Sequence, residues 1–279
     1  MRIIKVSEIT KKVESMLLDA CENIPQNVLE RLMAAKNNEK SPLGQDVIDR
    51  IIKNDLLARE KHLPICQDTG VVVCFLEVGY DVHFDGDIYE AINEGVANAY
   101  VNGYLRKSVV KHPLDRVNTK NNTPAIVHVK LVPGDKVKID VAPKGGGSEN
   151  MSLVKMLIPA DGVEGVKKLV LDTVFNGGGK PCPPIIVGIG LGGNLEKSAL
   201  MAKESLMREI DDINPDPILA KLEQELLKEI NDLGVGPMGF GGTETCLAVK
   251  VNAYPCHIAS LPVAINIQCH ASRHKSCIL

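Results

Sequence analysis

The run Val-Val-Val-Cys-Phe-Leu at residues 71–76 constrains the fold of this chain more than any other stretch. It is short, almost wholly apolar and bounded by Gly70 and Gly79, which is typical of a buried β-strand. The sixty residues before it carry apolar side chains at helical spacing, with a break around Pro25, and predict three helices. We therefore expect an α+β fold in which a helical region, residues 1–60, packs on mixed β-sheets.

Two stretches of alternating apolar and polar side chains follow further along, at residues 127–131 and 137–141. A Pro-Gly-Asp turn at residues 133–135 separates them, so the pattern predicts a β-hairpin. The alternation turns His128 toward solvent or a neighbouring strand, which argues against a role as a metal ligand. At 279 residues the chain can hold a large core, and no shift in composition marks a domain boundary. We expect a single domain over residues 1–279.

The composition excludes several classes of function. The net charge is −3, aromatic residues make up 3% and there is no Trp, so neither a basic nucleic-acid surface nor a base-stacking platform is expected. No apolar run approaches the ~20 residues of a membrane span. The N-terminus has no signal-peptide pattern, and we expect a cytoplasmic protein. An anionic ligand would therefore be bound by local cations.

Eight cysteines are distributed over the chain without any C-x-x-C pair. In a reducing compartment they are core residues, metal ligands or nucleophiles, and metal ligands would have to come from separate loops. Cys74 and Cys246 lie within strand patterns and Cys21 lies on a helix, which is typical of core residues. Cys256 and Cys277 are ambiguous. The remaining three stand at loop or strand junctions beside Gly, Pro or polar residues: Cys66, Cys182 and Cys269.

Two loops next to strands are rich in groups that could bind a ligand. The sequence Cys-Gln-Asp-Thr-Gly at residues 66–70 could place a thiolate on a soft metal while its neighbours face a substrate. A connection whose Asp and Thr only hydrogen-bond the turn explains it equally well. The sequence Pro-Lys-Gly-Gly-Gly-Ser-Glu-Asn at residues 143–150 could direct backbone N–H groups at an anion, or could be a flexible linker. We favour anion binding.

A third glycine-rich segment, residues 188–193, satisfies G-x-G-x-x-G, and Asp211 and Asp212 follow about 20 residues later. This spacing would suit a dinucleotide site of a nicotinamide-dependent oxidoreductase. Residues 207–212 are too polar to be the second parallel strand that such a unit requires. We therefore interpret these glycines as positions of close backbone packing or of carboxylate binding at a helix N-terminus.

Five motifs occur in an order that resembles a known family: residues 66–70 (CQDTG), 144–150 (KGGGSEN), 179–184 (GKPCPP), 236–242 (GPMGFGG) and 269–273 (CHASR). Together they resemble the α subunit of the iron–sulfur (class I) fumarate hydratases and the related L(+)-tartrate dehydratases. The resemblance covers nearly the whole chain. It implies a hydro-lyase that hydrates fumarate reversibly to (S)-malate, with a 4Fe-4S cluster as Lewis acid. Dehydration of L(+)-tartrate to oxaloacetate is the alternative.

The resemblance also implies roles for individual residues. Cys66, Cys182 and Cys269 would hold the cluster, and the fourth iron would face the substrate. The remaining implied site residues are an acid/base candidate, Asp68; a histidine beside the substrate, His257; and the substrate-binding residues Gln67, Arg106, Gly145 and Gly146.

The resemblance further implies a separate β subunit that completes the active site, hence a hetero-oligomer acting on a small dicarboxylate. No nucleic acid or membrane is expected among the partners. A competing class, the electron-transfer iron–sulfur proteins, would require four cysteine ligands and no Gln-Asp-Thr sequence beside one of them.

Overall fold

The computed structural model describes residues 2–279, which form helices and mixed β-sheets and confirm the predicted α+β class. The helices are α1 (Val6–Glu22), α2 (Gln26–Asn38), α3 (Pro42–Lys61), α4 (Ile88–Asn102), α5 (Gly146–Glu149), α6 (Gly162–Gly177), α7 (Leu195–Ser205) and α8 (Pro217–Asp232), with short 3₁₀ turns at Pro159–Asp161 and Pro237–Gly239. The strands are β1 (Arg2–Ile4), β2 (Val71–Gly79), β3 (Val82–Phe84), β4 (Ile126–Val132), β5 (Val137–Lys144), β6 (Leu153–Leu157), β7 (Ile185–Gly192), β8 (Cys246–Tyr254), β9 (Leu261–Gln268) and β10 (Lys275–Ile278).

The chain divides into two compact units. Unit 1 consists of residues 2–24, Asp55–Gly146 and Arg273–Leu279, and unit 2 consists of Pro25–Asn54 and Gly147–Ser272. The three N-terminal helices are present as predicted, but the boundary places α1 in unit 1 and α2 in unit 2. The interpretation of residues 1–279 as one catalytic domain stays a prediction.

Unit 1 is built on a four-stranded sheet in the order β10-β5-β2-β4. Helix α1 packs against α4 and β5, and its buried stripe of Ile9, Val13 and Leu17 falls on one helical face. Helix α4 begins at the N-cap Asp87, whose carboxylate accepts hydrogen bonds from two backbone N–H groups of the first turn. Each large apolar side chain buried here contributes about 1.5–3 kcal/mol to folding.

The predicted hairpin is wrong in its pairing, although both of its strands exist. Strand β2 lies between β4 and β5, pairing parallel with β4 and antiparallel with β5. The turn at residues 133–135 therefore crosses the end of β2, where a Cβ on Gly79 would lie 2.2 Å from the carbonyl oxygen of Gly134. The alternating pattern predicted both strands, of which β5 is largely buried and β4 is largely exposed. The continuous apolar run of β2 took the central position because it needs neighbours on both edges.

Unit 2 is built on a four-stranded sheet in the order β6-β9-β7-β8, with β7 and β8 parallel and the other pairs antiparallel. Its core consists of apolar side chains from β7, β8 and β9 packed with those of α6 and α8. Helix α8 begins as predicted at Pro217, with the Asp216 carboxylate accepting from the N–H groups of Ile218 and Leu219. Among residues 2–279, no helix has the length and apolar character needed to cross a membrane.

Candidate active site

The loop at residues 66–70 is anchored in unit 1 by buried polar side chains. The hydroxyl of Tyr100 donates to the carbonyl oxygens of Thr69 at 2.5 Å and Gly70 at 3.3 Å, and Asn122 Nδ2 donates to the Gly70 oxygen at 3.0 Å. Burial raises the pKa of Tyr100, so the ring stays a neutral donor. Gly70 has φ +77°, and a Cβ there would lie 2.6 Å from the main chain of Lys144. The loop therefore has a defined conformation, in close contact with the end of β5.

Asp68 is bound by two backbone N–H groups, one on each carboxylate oxygen. Oδ1 accepts from Gly70 at 3.0 Å and Oδ2 accepts from Gly146 at 2.8 Å. The first bond is the turn interaction that the simpler interpretation of this loop expected, but the second joins the loop to a segment 78 residues away. A carboxylate has about four lone-pair positions, so two stay free for a proton or a ligand. Asp68 is half-buried and can use them.

Arg106 is connected to the same loop through its backbone. The Thr69 hydroxyl donates to the Arg106 carbonyl oxygen at 3.0 Å, while the Arg106 side chain is exposed in the connection between α4 and β4. Gln67 is also exposed, and its Oε1 lies 3.5 Å from the half-buried Sγ of Cys66. The side chains of Cys66, Gln67 and Asp68 and the backbone of Arg106 thus belong to one connected segment of unit 1.

The glycines predicted to donate to a substrate lie beside Asp68. Gly145 is buried, and a Cβ at this position would lie 3.3 Å from Asp68 Oδ2. Gly146 is exposed and begins the short helix α5, but its N–H is bound to Asp68. The carboxylate of Asp68 therefore occupies the place that an anion would take on this N–H.

Cys182 and Cys269 lie together in unit 2. Ile186 near the start of β7 pairs with Gln268 at the end of β9, so the two cysteines flank adjacent strand ends. The His270 N–H donates to the Cys182 carbonyl oxygen at 3.5 Å. Cys182 has φ +59°, a left-handed conformation that a residue with a Cβ seldom adopts, and both cysteines are half-buried and form no disulfide.

The cysteines assigned to the core differ clearly from these. Cys21, Cys74 and Cys246 are fully buried, and burial raises their pKa to about 11, 12 and 12 respectively. Such thiols stay protonated and behave as small apolar side chains, which confirms the interpretation from sequence. Of the two ambiguous cysteines, Cys256 is exposed and Cys277 is half-buried.

His257 lies at the opposite end of the unit 2 sheet from Cys182 and Cys269. It follows β8, whose last residue Tyr254 pairs with Gly192 at the far end of β7. The seven residue steps from Ile185 to Gly192 span about 23 Å. His257 is exposed, and its Nδ1 accepts from the Ala259 N–H at 3.1 Å. The fold of one chain therefore does not bring this histidine to the two cysteines.

No ready-made metal site is present among residues 2–279: no group of three or more His, Cys, Asp or Glu side chains is arranged to hold an ion. The predicted thiols are distributed over the two units, with Cys66 in unit 1 and the other two in unit 2. Half-buried cysteines on loops that form no disulfide fit the donor chemistry of an iron–sulfur cluster.

The glycines of G-x-G-x-x-G serve packing. Gly188 and Gly190 lie inside β7, where a Cβ would come within 2.3 Å and 2.0 Å of carbonyl oxygens of α7. Residues 207–212 form no strand, as expected, but β8 supplies a parallel neighbour to β7 after α8. Asp212 accepts hydrogen bonds from Arg208 and Lys250, so its carboxylate is already occupied. These contacts favour the packing interpretation over a dinucleotide site.

A cavity of about 470 Å³ in unit 2 contains none of the predicted site residues among its lining, which comes mainly from α2, α8 and β8. Its charged wall is a network in which Glu223 Oε1 accepts from Arg208, Asn214 and the Val251 N–H. These groups satisfy one another, which is the pattern of a structural network.

Sequence reasoning missed three residues that hold the Asp68 loop: Tyr100, Asn122 and Arg273. Tyr100 was hidden in the apolar stripe of α4, and Asn122 lies in a polar loop without a motif. Arg273 is the last residue of the fifth motif, so the sequence placed it near the site but did not indicate what it does there. Its Nη1 donates to the Asp68 carbonyl oxygen at 2.7 Å.

Comparison with known proteins gives one consistent result. A family model described as fumarate hydratase (Fumerase) matches residues 10–278. The chain is 42% identical to the "Putative L(+)-tartrate dehydratase subunit alpha" of Methanocaldococcus jannaschii, over 96% of this chain and 95% of the relative. It is 30% identical to the "L(+)-tartrate dehydratase subunit alpha" of Escherichia coli strain UTI89, over 96% of this chain and 89% of the relative.

Proposed function

The chain belongs to the fumarate hydratase (Fumerase) family and is a hydro-lyase, and we propose that it acts as the α subunit of an iron–sulfur enzyme that hydrates fumarate reversibly to (S)-malate. One observation carries this proposal: the loop bearing Cys66, Gln67 and Asp68 is joined to both Gly146 and Arg106 by hydrogen bonds. A thiolate ligand and substrate-binding groups thereby share one rigid framework.

We propose that Cys66, Cys182 and Cys269 hold a 4Fe-4S cluster. These three cysteines form no disulfide and are half-buried, whereas Cys21, Cys74 and Cys246 are fully buried in the core. Three protein thiolates leave one iron of a cluster without a protein ligand. When bound, the cluster supplies a Lewis acid that stabilises negative charge on the departing hydroxyl oxygen.

The residues of the chain supply the remaining requirements of the reaction. The exposed Arg106 side chain presents a planar guanidinium that can bind a substrate carboxylate through two parallel N–H donors. Gln67, also exposed, offers an amide to the substrate hydroxyl or carboxylate. These contacts orient the C–H beside the carboxylate toward a base and stabilise the charge that develops on proton removal.

Asp68 is the proposed acid/base group of this chain. Its carboxylate keeps two lone-pair positions after binding the N–H groups of Gly70 and Gly146, so it can accept a proton without losing its anchorage. Positioned acid/base groups contribute typically 10²–10⁴-fold to rate. Gly145 and Gly146 are proposed as backbone donors to the substrate, and Gly146 would donate only when Asp68 Oδ2 releases its N–H.

His257 is proposed to lie beside the substrate only if another chain of the assembly supplies it. His257 lies beyond the far end of β7, a strand about 23 Å long whose other end lies near Cys182 and Cys269. We therefore propose that this histidine reaches the cluster from another chain of the assembly.

A separate β subunit is proposed to complete the enzyme, because both relatives described above are named as α subunits. The same names favour a second candidate substrate, L(+)-tartrate, which would yield oxaloacetate. (S)-Malate and L(+)-tartrate differ by one hydroxyl group, and we propose that dehydration of either uses the same groups of this chain. We propose a cytoplasmic enzyme.

The test is anaerobic reconstitution of the chain with its β subunit, iron and sulfide, followed by assays with fumarate, (S)-malate and L(+)-tartrate side by side. We expect brown cluster absorbance together with hydration of fumarate, and both should be lost in Cys66→Ser. Turnover of tartrate alone would assign the second candidate. Full activity in iron-free protein would contradict the proposal.

A further inference from the structure

Three consecutive carbonyl oxygens of the candidate active-site loop each receive a hydrogen bond from a buried side chain. Arg273 Nη1 donates to Asp68 at 2.7 Å, Tyr100 donates to Thr69 at 2.5 Å, and Asn122 donates to Gly70 at 3.0 Å. The donors are at most 3% exposed. Buried donors on three consecutive carbonyls leave this part of the backbone little freedom to move, because each broken bond would leave an unpaired polar group.

Arg273 differs from the other two donors in charge. Within residues 2–279 its guanidinium forms no ion pair with a carboxylate, and its buried Nε has no hydrogen-bond acceptor. Its positive charge opposes the burial-driven rise in the pKa of both Cys21 and Tyr100. A hydrogen bond from a charged donor is roughly twice as strong as one between neutral groups. The Asp68 oxygen thus receives the strongest of the three anchors.

The second end of the guanidinium faces the glycine segment that binds the Asp68 side chain. A Cβ on Gly145 would lie 3.4 Å from Arg273 Nη2 and 3.3 Å from Asp68 Oδ2. The absence of a side chain at this position lets the guanidinium, the glycine backbone and the carboxylate approach one another. Asp68 is therefore fixed at its main chain by Arg273 and at its side chain by Gly70 and Gly146.

We propose that Arg273 is a positioning residue that sets the orientation of Asp68 for the hydro-lyase reaction. Arg273 is itself too buried to touch a substrate, so it acts through the Asp68 backbone. The consequence for catalysis rests on the proposed function of Asp68. A displacement of about 1 Å in a catalytic group can cost 10²-fold in rate, and loss of the Asp68 anchor would permit such a displacement.

The matched variants are Arg273→Lys, Arg273→Ala and, as control, Arg59→Ala. Arg59 also donates from Nη2 to a main-chain oxygen of unit 1, that of Ile24 at 3.1 Å, but has no contact with the loop. In the reconstituted enzyme we expect Arg273→Lys to lower kcat by about 10²-fold, with KM changed less than about threefold, because substrate contacts remain. Added guanidinium at millimolar concentration should restore part of the kcat of Arg273→Ala. Arg59→Ala should keep the wild-type kcat.

A second measurement uses the full chain without any assay of activity. Hydrogen–deuterium exchange of the Gly70 and Gly146 amides, which bind Asp68, should accelerate in Arg273→Lys. The Gly79 amide, bound to Lys136 at 2.9 Å in the same unit, should exchange as in the wild type. If exchange accelerates at Gly70 and Gly146 in Arg273→Lys, but the reconstituted wild type has no hydratase activity, the proposed function is refuted and the positioning role is retained.

Three outcomes would overturn the positioning role. The first is unchanged exchange at Gly70 and Gly146. The second is a loss of kcat without guanidinium rescue that Arg59→Ala reproduces. The third is global unfolding of Arg273→Lys, which would assign the residue to the stability of unit 1 as a whole.

Discussion

Asp68 and Glu39 are two carboxylates bound by backbone N–H groups, and they differ in how accessible their oxygens remain to a ligand. Asp68 accepts one N–H on each oxygen and is half-buried. Glu39 is 1% exposed, and its oxygens accept from the N–H groups of Ser41, Thr243 and Glu244, two of the distances being 2.8 Å. The same interaction thus serves a candidate active site in one loop and structure alone in the other. Access by a ligand distinguishes the two.

The glycines around each carboxylate show the same contrast. A Cβ on Gly242 would lie 2.6 Å from Glu39 Oε1, and one on Gly44 would lie 2.8 Å from Glu39 Cγ. The glycine-rich motif at residues 236–242 therefore leads into a closed cradle for Glu39 within unit 2. The glycines at 145 and 146 approach Asp68 on one side only, and Gly146 is exposed.

The largest effect expected from this comparison is on turnover. Asp68→Asn keeps the shape of the side chain but removes the proton acceptor, so kcat should fall by about 10²–10⁴-fold. Cluster absorbance and the midpoint of thermal unfolding should stay close to those of the wild type. Steady-state kinetics of the reconstituted enzyme measure kcat, and circular dichroism measures the midpoint of thermal unfolding. An unchanged kcat would remove Asp68 from the mechanism.

Glu39→Gln should affect stability instead. The substitution replaces a charged acceptor of several N–H groups by an amide, and we expect the free energy of unfolding to fall by about 2 kcal/mol. Denaturant titration of the full chain measures this change. The kcat per folded enzyme should match that of the wild type. A large loss of kcat with unchanged stability would place Glu39 in the active site, and would contradict the structural role that distinguishes it from Asp68.

The contribution of Glu39 should depend on pH in a defined direction. Burial raises its pKa, but donation by the N–H groups of Ser41, Glu244, Thr243 and Lys40 outweighs burial and holds the pKa below the ordinary 4.5. A carboxyl whose pKa is lower in the folded chain stabilises the fold above its unfolded pKa. This stabilisation is lost as the pH falls from about 4.5 through the folded pKa. The difference in unfolding free energy between wild type and Glu39→Gln should be constant from pH 6 to 8 and should shrink below pH 4.5; a difference that grows on acidification would contradict it.

The smallest effect is expected for Arg106→Lys. Lysine retains the charge but loses the planar pair of donors, so KM for the dicarboxylate should rise by roughly tenfold, equivalent to about 1.4 kcal/mol. Stability should change little because the Arg106 side chain is exposed. The exposed Arg116 provides a matched control, with no change expected for Arg116→Lys. Equal KM values for the two variants would show that Arg106 does not bind the substrate.

Much of the fold follows from local patterns in the sequence. The helix that starts at Pro217 and the buried strand that starts at Val71 were both predicted, because apolar periodicity and turn residues define each element from within. Strand partners were not predictable in the same way. Residues 126–132 and 137–144 are separated by a short turn, yet each pairs with β2, since pairing depends on long-range burial that alternation does not encode.

The candidate site was predictable where a residue belongs to a motif. Cys66, Gln67, Asp68 and Gly146 lie in motifs of the resemblance, which also implied Arg106 outside them, and hydrogen bonds connect these residues in unit 1. The supporting residues were not, because Tyr100 and Asn122 act through single hydrogen bonds to a backbone that a sequence does not display. The role of His257 stays a prediction: it is close to Cys269 in sequence, but the two residues flank opposite ends of the unit 2 sheet.

The most direct test of the account is iron and sulfide analysis, with Mössbauer spectra, of the anaerobically reconstituted complex and its single Cys66→Ser, Cys182→Ser and Cys269→Ser variants. The account predicts a 4Fe-4S cluster with one distinct iron in the wild type, and loss of cluster and of hydratase activity in each variant. Cys21→Ser, at a buried core position, should retain both when folded. A wild-type complex that is active without iron, or a full cluster in all three variants, would contradict the central claim.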